Sequence, residues 1–260
     1  MFPVIEQFHH YWYLHRDYNG SGLCSWTEGA ESGMDDGVRF VGAKKVTSSK
    51  TCPTCFDFWS IDLNSYLYRE KLVLADMADA MGNHTGAAFW RQQASALLVR
   101  LQQIDAFWNS TNHFFQDQYF NGTSVPVLGC EGFTALFAQV ATQEQANSMA
   151  AVLNDSTRFL LKLPLPTVSR DNPHFSHSGY WKGPNWFDQT WFAYTGLKHY
   201  GHHSLAADIQ RRVFVNGAGL KRNDTTPIGE RYNPDDGEII GATHFSWSAA
   251  HLLMWAAGFP

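Results

Sequence analysis

The chain has 260 residues, of which 44% are hydrophobic and 15% aromatic, and its net charge is −5 with no basic run. This length can bury a sizeable core, and the acidic balance excludes nucleic acid and anionic membrane surfaces as expected partners. No apolar stretch is long enough to span a bilayer, and Met1–Glu6 lacks the basic start of a signal peptide. We therefore expect one globular domain over residues 1–260.

Six Asn-x-Ser/Thr sequons stand out against the roughly one or two that chance would produce. This excess predicts passage through a glycosylating secretory pathway, or an extracellular location, where disulfides are permitted. The four cysteines include a C-x-x-C pair, Cys52 and Cys55, but no second pair stands at zinc spacing. The sequons lie at Asn19, Asn83, Asn109, Asn121, Asn154 and Asn223.

The chain begins with a predicted amphipathic helix over residues 2–16, because Phe2, Ile5, Phe8 and Trp12 recur at helical spacing. The segment 17–28 then has the spacing of a calcium loop, with Gly22 at the sharp turn. The alternative is a plain Asn-Gly-Ser-Gly turn, and a glycosylated asparagine here could not also bind a metal. The predicted ligands of a structural Ca²⁺ are Asp17, Asn19, Ser21, the backbone carbonyl of Leu23, and Glu28.

An acidic, glycine-rich loop follows at Glu31–Arg39, with three carboxylates and two glycines in nine residues. It is a poor strand and a poor helix, and its glycines permit tight turns that aim carboxylates inward. A solvated acidic turn would have the same composition. A second loop, at Ile228–Pro234, again presents one carboxylate, Glu230, after a glycine. Two isolated carboxylates on loops of an aromatic-rich helical chain are what glycoside hydrolysis requires.

The rest of the chain predicts helices with little strand, and antiparallel helical hairpins closing around an axis form an α/α toroid. The residues 113–125 alternate in polarity and turn at Asn121-Gly122, which predicts one small β-hairpin. The predicted helices span 58–81, 85–108 with Ile104 on its apolar side, 130–141, 143–153, the segment from Pro184 to Tyr200, 204–215 and 246–257.

The chain contains four motifs in this order: Glu31–Arg39, Ile61–Tyr68, Gly179–Trp186, and Glu230–Pro234 followed by Phe245–Ser248. The same order is found in glycoside hydrolase family 63, which the chain resembles over nearly its whole length. The related trehalase family shares the E-S-G-x-D element. The resemblance implies an all-α (α/α)6 barrel and inverting hydrolysis of an α-glucosidic bond in an oligosaccharide or small glucoside, without a cofactor for the chemistry.

By this resemblance Asp35 matches the general acid and Glu230 the general base. An inverting enzyme needs these two groups roughly 6.5–9.5 Å apart on opposite faces of the sugar. Glu31 and Asp36 are expected to raise the pKa of Asp35, while Arg39 opposes them. Glu238 is a rival base. The residues matching sugar-binding positions are Gly33, Tyr180, Trp181, Trp186 and Trp247, although each Trp could instead be a core residue.

The chain departs from the family in two respects. Gly37-Val38 stand where Ser-Pro or Tyr-Pro is commoner, and only 34 residues precede Asp35. About eight helices are predicted, whereas six helical hairpins need twelve, so we expect the first helices of the barrel to be missing. An upstream segment or a partner would complete the barrel, and this chain alone is expected to show poor solubility or weak activity.

Three other functions are compatible with the sequence. Trehalose hydrolysis belongs to the same class, but the glycine-rich tail signature of trehalases is absent. A non-catalytic carbohydrate-binding protein or truncated pseudo-enzyme would explain the missing helices. A helical-repeat scaffold without sugar affinity would leave the two carboxylate loops and their accompanying Trp residues unexplained.

Overall fold

Eight α-helices frame the computed structural model, which describes residues 2–47, 52–103 and 107–258. Each corresponds to a predicted helix, and the expected all-α class is confirmed. In the described ranges, every helix falls short of the length and apolarity that crossing a bilayer requires. The helices are α1 Phe2–His15, α2 Ile61–Ala80, α3 His84–Leu101, α4 Thr134–Phe137, α5 Gln143–Leu153, α6 Phe187–His199, α7 His203–Asn216 and α8 Ser246–Ala256.

Two helices are shorter than predicted. Helix α3 ends at Leu101, and Trp108 lies in a strand instead, while Ile104 falls outside the described residues. The predicted helix 130–141 is a 3₁₀ turn over Cys130–Phe133 followed by α4, and Gln139 beyond it has a φ of 63°. A left-handed residue cannot continue a right-handed helix, so the chain leaves the helix axis there.

The buried face of α1 differs from the predicted one. His9 is fully buried, whereas Phe8, expected on the inner face, is 55% exposed. Phe2 and Ile5 do pack inward, against the cluster of Leu74 and Trp90. The buried face of α1 therefore includes a polar residue, His9, and excludes Phe8. The spacing of apolar residues alone could not predict this.

Within the described residues, short antiparallel strand pairs occur at four places, where the sequence predicts one hairpin. The predicted turn is present, with Gly122 at a φ of 88° and its N–H donating to the Tyr119 carbonyl at 2.9 Å. The pairs are β1 Lys45–Val46 with β2 Cys55–Phe56, β3 Phe58–Trp59 with β6 Gln118–Tyr119, β4 Trp108–Asn109 with β5 Phe114–Phe115, and β7 Gly229–Tyr232 with β8 Ile239–Thr243.

Helices α2 and α6 are the most deeply buried long helices. Helix α2 packs along α1 and α3, and α6 contacts α4, α7 and α8. The first turns of both carry fully or nearly fully buried carboxyl groups, Asp62 and Asp188. Buried carboxyls are rare unless they are partnered, so the loops around these helix starts are where functional groups are to be sought. Elsewhere, Cys52 and Cys55 form a disulfide, while Cys24 and Cys130 are free and buried.

Candidate active site

The loop that carries Asp35 consists of two short 3₁₀ turns, Ala30–Ser32 and Val38–Phe40. Gly33 ends the first with a φ of 78°, a conformation that a glycine adopts without strain. Gly29 packs so closely on the backbone carbonyl of Asp35 that a Cβ there would overlap it. These two glycines fold the loop tightly, and Asp35 itself is exposed at its surface.

Glu31 attaches this loop to Arg16 and Thr27, which precede it in the chain. Its Oε1 accepts hydrogen bonds from Arg16 Nε at 2.8 Å and Nη2 at 2.5 Å, and its Oε2 accepts from the Thr27 N–H at 2.7 Å. Burial alone would raise the pKa of Glu31, but these hydrogen bonds and the Arg16 charge lower it overall. Glu31 is thus an ionised structural anchor with its own cation, and its charge is compensated locally instead of being directed at Asp35.

Asp36 fastens the same loop to the Gly179–Trp186 segment. Its Oδ1 accepts the backbone N–H of Trp181 at 2.8 Å, and its Oδ2 lies 3.3 Å from Lys182 Nζ. A carboxylate that accepts a backbone N–H and faces an ammonium holds both segments in one register. The predicted acid and the predicted aromatic residues are therefore mechanically linked.

Glu230 lies on strand β7 and not in an open loop as predicted. Its Oε1 accepts from the Tyr180 hydroxyl at 3.3 Å, while its Oε2 accepts from Arg231 Nη1 at 2.6 Å and from the Ala242 N–H on β8 at 3.2 Å. The strand forms because β8 pairs with it around a bulge between Gly229 and Arg231. A paired strand aims a carboxylate more rigidly than a free loop would.

The Tyr180–Trp181 segment contacts both parts of the chain that carry the predicted catalytic carboxylates: the Tyr180 hydroxyl donates to Glu230, and the Trp181 N–H donates to Asp36, the neighbour of Asp35. The backbones of Asn185 and Tyr232 exchange hydrogen bonds of 2.8 and 3.0 Å, which tie the Tyr180 segment to β7. Burial raises the pKa of Tyr180, and the charges of Glu230 and Asp35 raise it further. The structure thus brings the Asp35 loop and Glu230, distant in sequence, to the same Tyr180–Trp181 segment.

The predicted sugar-binding aromatic residues form one cluster beside these carboxylates. Trp181 and Trp186 are each 2% exposed and stack face to face at 4.0 Å. Trp247 is 40% exposed and lies 5.7 Å from Trp186. Because the stacked pair covers its own faces, the ring surface open to a ligand belongs to Trp247 and the partly exposed Tyr180. Gly33 is exposed on the Asp35 loop.

A buried charge cluster supports the Asp35 loop. Arg39, 2% exposed, donates from Nη2 to Asp62 at 2.6 Å and from Nη1 to Asp117 at 3.4 Å. Burial, opposed by the Arg39 charge and aided by neighbouring carboxylates, raises the pKa of Asp117 to about 7 and that of Glu131 to about 8. Arg39 thus pairs with buried carboxylates and holds the loop against the start of α2.

These raised pKa values predict a stability that falls with rising pH. Asp117 and Glu131 bind protons more tightly folded than unfolded, so their contribution is complete below about pH 4 and is lost as pH rises through 7 to 8. We expect the free energy of unfolding, measured in urea from pH 5 to 9, to decline by a few kcal/mol. Asp117→Asn should flatten this decline, whereas the exposed Asp224→Asn should leave it unchanged; equal slopes in both variants would contradict the assignment.

The predicted calcium loop is a hydrogen-bonded turn in the structure. Asp17 accepts from the N–H groups of Ser21 at 2.9 Å and Gly22 at 2.8 Å, and Asn19 also accepts from Ser21. Leu23 is buried, Glu28 is exposed, and no second helix follows within residues 23–29. Over the described ranges, no group of three or more His, Cys, Asp or Glu is arranged to hold a metal. Calcium binding stays a prediction.

Several residues that shape this site were not among those predicted from the sequence. Arg231 pairs with Glu230 and lies 4.7 Å from the Tyr180 ring centroid, and Lys182 contacts Asp36. A basic residue directly after a candidate carboxylate was the available signal for Arg231. Asp117 and Glu131 carried no local signal, since their burial depends on segments that are distant in sequence.

Comparison with known proteins identifies the family. The model of the mannosylglycerate hydrolase MGH1-like glycoside hydrolase domain matches residues 1–248. Mannosylglycerate hydrolase MGH1 of Selaginella moellendorffii is 26% identical over 98% of this chain and 59% of its own length. A periplasmic trehalase of Xanthomonas campestris is 27% identical over 89% of this chain and 40% of its own length. The chain therefore spans less than two thirds of the length of either relative.

The fold agrees with this assignment. The crystal structure of a GH63 mannosylglycerate hydrolase from Thermus thermophilus in complex with glucose superimposes with a TM-score of 0.79, at 24% identity, over 98% of this chain and 68% of that one. Such structural neighbours are (α/α)6 barrel enzymes, which confirms the predicted fold class. The chain belongs to the family of mannosylglycerate hydrolase MGH1-like glycoside hydrolase domains.

Proposed function

We propose that this site hydrolyses an α-glycosidic bond with inversion, with Asp35 as general acid and Glu230 as general base. The observation that carries the proposal is that the Tyr180–Trp181 segment contacts both Glu230 and the loop that presents Asp35, beside the exposed ring of Trp247. Inversion needs one carboxylic acid at the leaving oxygen and one carboxylate that activates a water on the opposite face.

The surroundings of Glu230 suit the base. Three donors, from Tyr180, Arg231 and the Ala242 N–H, fix its orientation. An oriented carboxylate can accept the proton of a water placed against the sugar. Asp35 lies exposed on the linked loop, where an incoming glycosidic oxygen can reach it.

The substrate we propose is a small α-glycoside with glucose as the cleaved sugar. Mannosylglycerate, which names several similar proteins, is a second candidate, and trehalose is a third because a trehalase matches most of the chain. One exposed Trp and one partly exposed Tyr offer stacking surface for about one sugar ring. This limited surface favours compact substrates over long oligosaccharides.

Anomer-resolved NMR tests the proposal directly. The chain is incubated with α-glucosides, mannosylglycerate and trehalose, and the first sugar released from the α-glucosides should be the β-anomer. Initial release of the α-anomer would refute inversion. Calorimetric sugar binding without any product would support the rival carbohydrate-binding function and overturn the hydrolase proposal.

We also propose that an upstream segment, or a partner chain, completes the barrel. Large apolar side chains are exposed on α1, where Val4, Phe8 and Leu14 are 68%, 55% and 61% exposed, and on α8, where Leu253 is 70% exposed. Such faces usually mark an interface. A polypeptide extended upstream should be more soluble and more active per site than these 260 residues. Equal activity and monodispersity of the two would contradict this.

The secretory location and the calcium site are further proposals. Five of the six sequon asparagines are exposed, and Asn109 is half-buried, so glycans could be accommodated at most of them. Expression in a secreting eukaryotic cell should yield a product whose mass falls on enzymatic deglycosylation; an unchanged mass would contradict the proposed location.

Added Ca²⁺ should raise the melting temperature if the 17–28 loop binds it, and no rise would exclude a structural calcium there.

Gly241 should be essential to the placement of Glu230. A Cβ at this position would overlap Glu230 Oε2 and Arg231 Nη1, and its φ is 87°. We expect Gly241→Ala to lower turnover at least tenfold by displacing the base, at a cost of about 1 kcal/mol in stability. Gly122→Ala is the matched control, since Gly122 has a φ of 88° and nothing within 4 Å of its added Cβ. Equal activities of the two variants would show that the Glu230 contact is unimportant.

A further inference from the structure

A cavity of about 240 Å³ lies between α1 and α3, lined by residues of α1, α2 and α3 together with Gly22. It shares no lining residue with the Asp35 and Glu230 site. Its size is below the range typical of drug-sized ligands, so it suits a small molecule. Aromatic side chains of Phe89 and Trp90 line one part, and the basic side chains of Lys71 and Arg100 line another.

Lys71 is a cation buried in this wall, only 5% exposed. Its Nζ lies 2.6 Å from His9 Nε2, and His9 Nδ1 lies 2.6 Å from Glu70 Oε2. Burial lowers the pKa of His9 despite the Glu70 hydrogen bond, so we assign His9 as neutral, donating to Glu70 and accepting from Lys71. Glu70 is thereby engaged by His9 and does not contact the ammonium.

The cations of the cavity lack anionic partners. Across the described ranges, no Asp or Glu oxygen lies within 4.0 Å of Lys71 Nζ or of the Arg100 guanidinium, although other Lys and Arg residues form such pairs. The hydroxyl of Tyr13 is buried without a hydrogen-bond partner, and Lys71 Nζ lies 4.2 Å from the centroid of its ring. A buried cation without an anion is costly, and so is a buried unpaired hydroxyl.

We propose that this cavity binds a small oxyanion, a carboxylate or a phosphate group, with Lys71, Arg100 and the Tyr13 hydroxyl as its donors. The anion would supply the negative charge that the buried Lys71 lacks and the acceptor that the Tyr13 hydroxyl lacks, and Arg100, which is exposed, would add a second positive charge. Any apolar part of the ligand would pack on Trp90 and Phe89. The site is separate from the proposed sugar site and does not depend on the hydrolase function.

Binding should be linked to protonation of Lys71. Burial lowers the pKa of Lys71 to about 8, so the side chain is still mainly charged at pH 7. A bound anion favours the charged amine and raises that pKa. The ionisable groups around it are His9, His10 and Tyr13 from α1, Glu70 on α2, Arg100 from α3, and Asp17 and Cys24 from the loop after α1.

The test titrates the whole chain with sulfate, as a stand-in for phosphate, and with acetate, at constant ionic strength in chloride. Calorimetry should show binding of at least one at pH 7 and roughly 30-fold weaker binding at pH 9.5, where little Lys71 remains charged. With ¹³C-dimethylated lysines, the signal lost in Lys71→Met should titrate at a higher pH when the anion is present. Preference for sulfate or acetate decides between phosphate and carboxylate.

Variants separate the site from general charge effects. Lys71→Met should abolish binding, Arg100→Gln should weaken it about tenfold, and Tyr13→Phe should weaken it less. Arg91→Gln is the matched control, because Arg91 lies on α3 with Asp76 and Asp79 as its partners. If Lys71→Met does not fold, Arg100→Gln and Tyr13→Phe decide the matter. Binding equal in these variants and the unmodified chain, or no binding beyond that of chloride, would overturn the proposal.

Discussion

Replacing Asp35 with Asn, or Glu230 with Gln, should each lower turnover about 100-fold to 10,000-fold, the contribution usual for a general acid or base. Neither change should unfold the chain. Asp35 is exposed, and the amide that replaces the Glu230 carboxylate keeps one oxygen to accept hydrogen bonds. Turnover on the best substrate of the panel measures the effect, and urea unfolding checks the fold. Near-normal turnover in either variant would refute the assigned role.

A glycosyl fluoride separates the two roles. Fluoride departs without a proton from the enzyme, so Asp35→Asn should recover most of its rate on an α-glycosyl fluoride. Glu230→Gln should remain slow, because water must still be activated. Glu238→Gln is the matched control. Glu238 is exposed and lies on the turn between β7 and β8, two residues after Asp236. If Glu238→Gln is the slow variant on fluoride, Glu238 and not Glu230 is the base.

The helices could be predicted from the sequence because apolar spacing repeats every turn over ten or more residues. Helix α5 has the predicted bounds, Gln143–Leu153, where Thr142 and Gln145 form a capping box. The strand β7 could not be predicted in this way. Gly229–Tyr232 is short, its polar and apolar residues do not alternate, and its conformation depends on pairing with β8. A local repeat of apolar residues identifies the helices, but it does not identify strands that form only by pairing with another segment of the chain.

The candidate site divides in the same way. The sequence pointed to Asp35, Glu230 and the aromatic residues, and the structure places them in one region. It misjudged the neighbours of Asp35, because adjacency in sequence does not decide where a side chain points. Glu31 binds Arg16, and Arg39 reaches Asp62 and Asp117. Those partners come from elements before and after the loop, and only the folded chain brings them together.

Replacing Arg39 with Met should lower the free energy of unfolding by about 3–5 kcal/mol, the usual cost of stranding buried charges. In the described part of the chain, Arg39 is the only cation within 4.0 Å of Asp62 or Asp117. Arg39→Lys keeps the charge, so it should lose less stability than Arg39→Met. It should still lose some, because a lysine cannot bind both carboxylates as the planar guanidinium does. Urea unfolding at pH 7 measures both variants.

The loss in Arg39→Met should also grow with pH and extend to activity. The Arg39 charge holds down the pKa values of Asp117 and Glu131, so without it both acids bind protons more tightly and resist ionisation further. The deficit should therefore be larger at pH 9 than at pH 5.5. Adding Asp62→Asn should recover part of the stability by removing one stranded charge, a coupling that independent sites would not show. Because Arg39 ends the loop that presents Asp35, turnover should fall as well. An unfolding free energy within about 1 kcal/mol of the unmodified chain at both pH values would show that this cluster does not hold the loop.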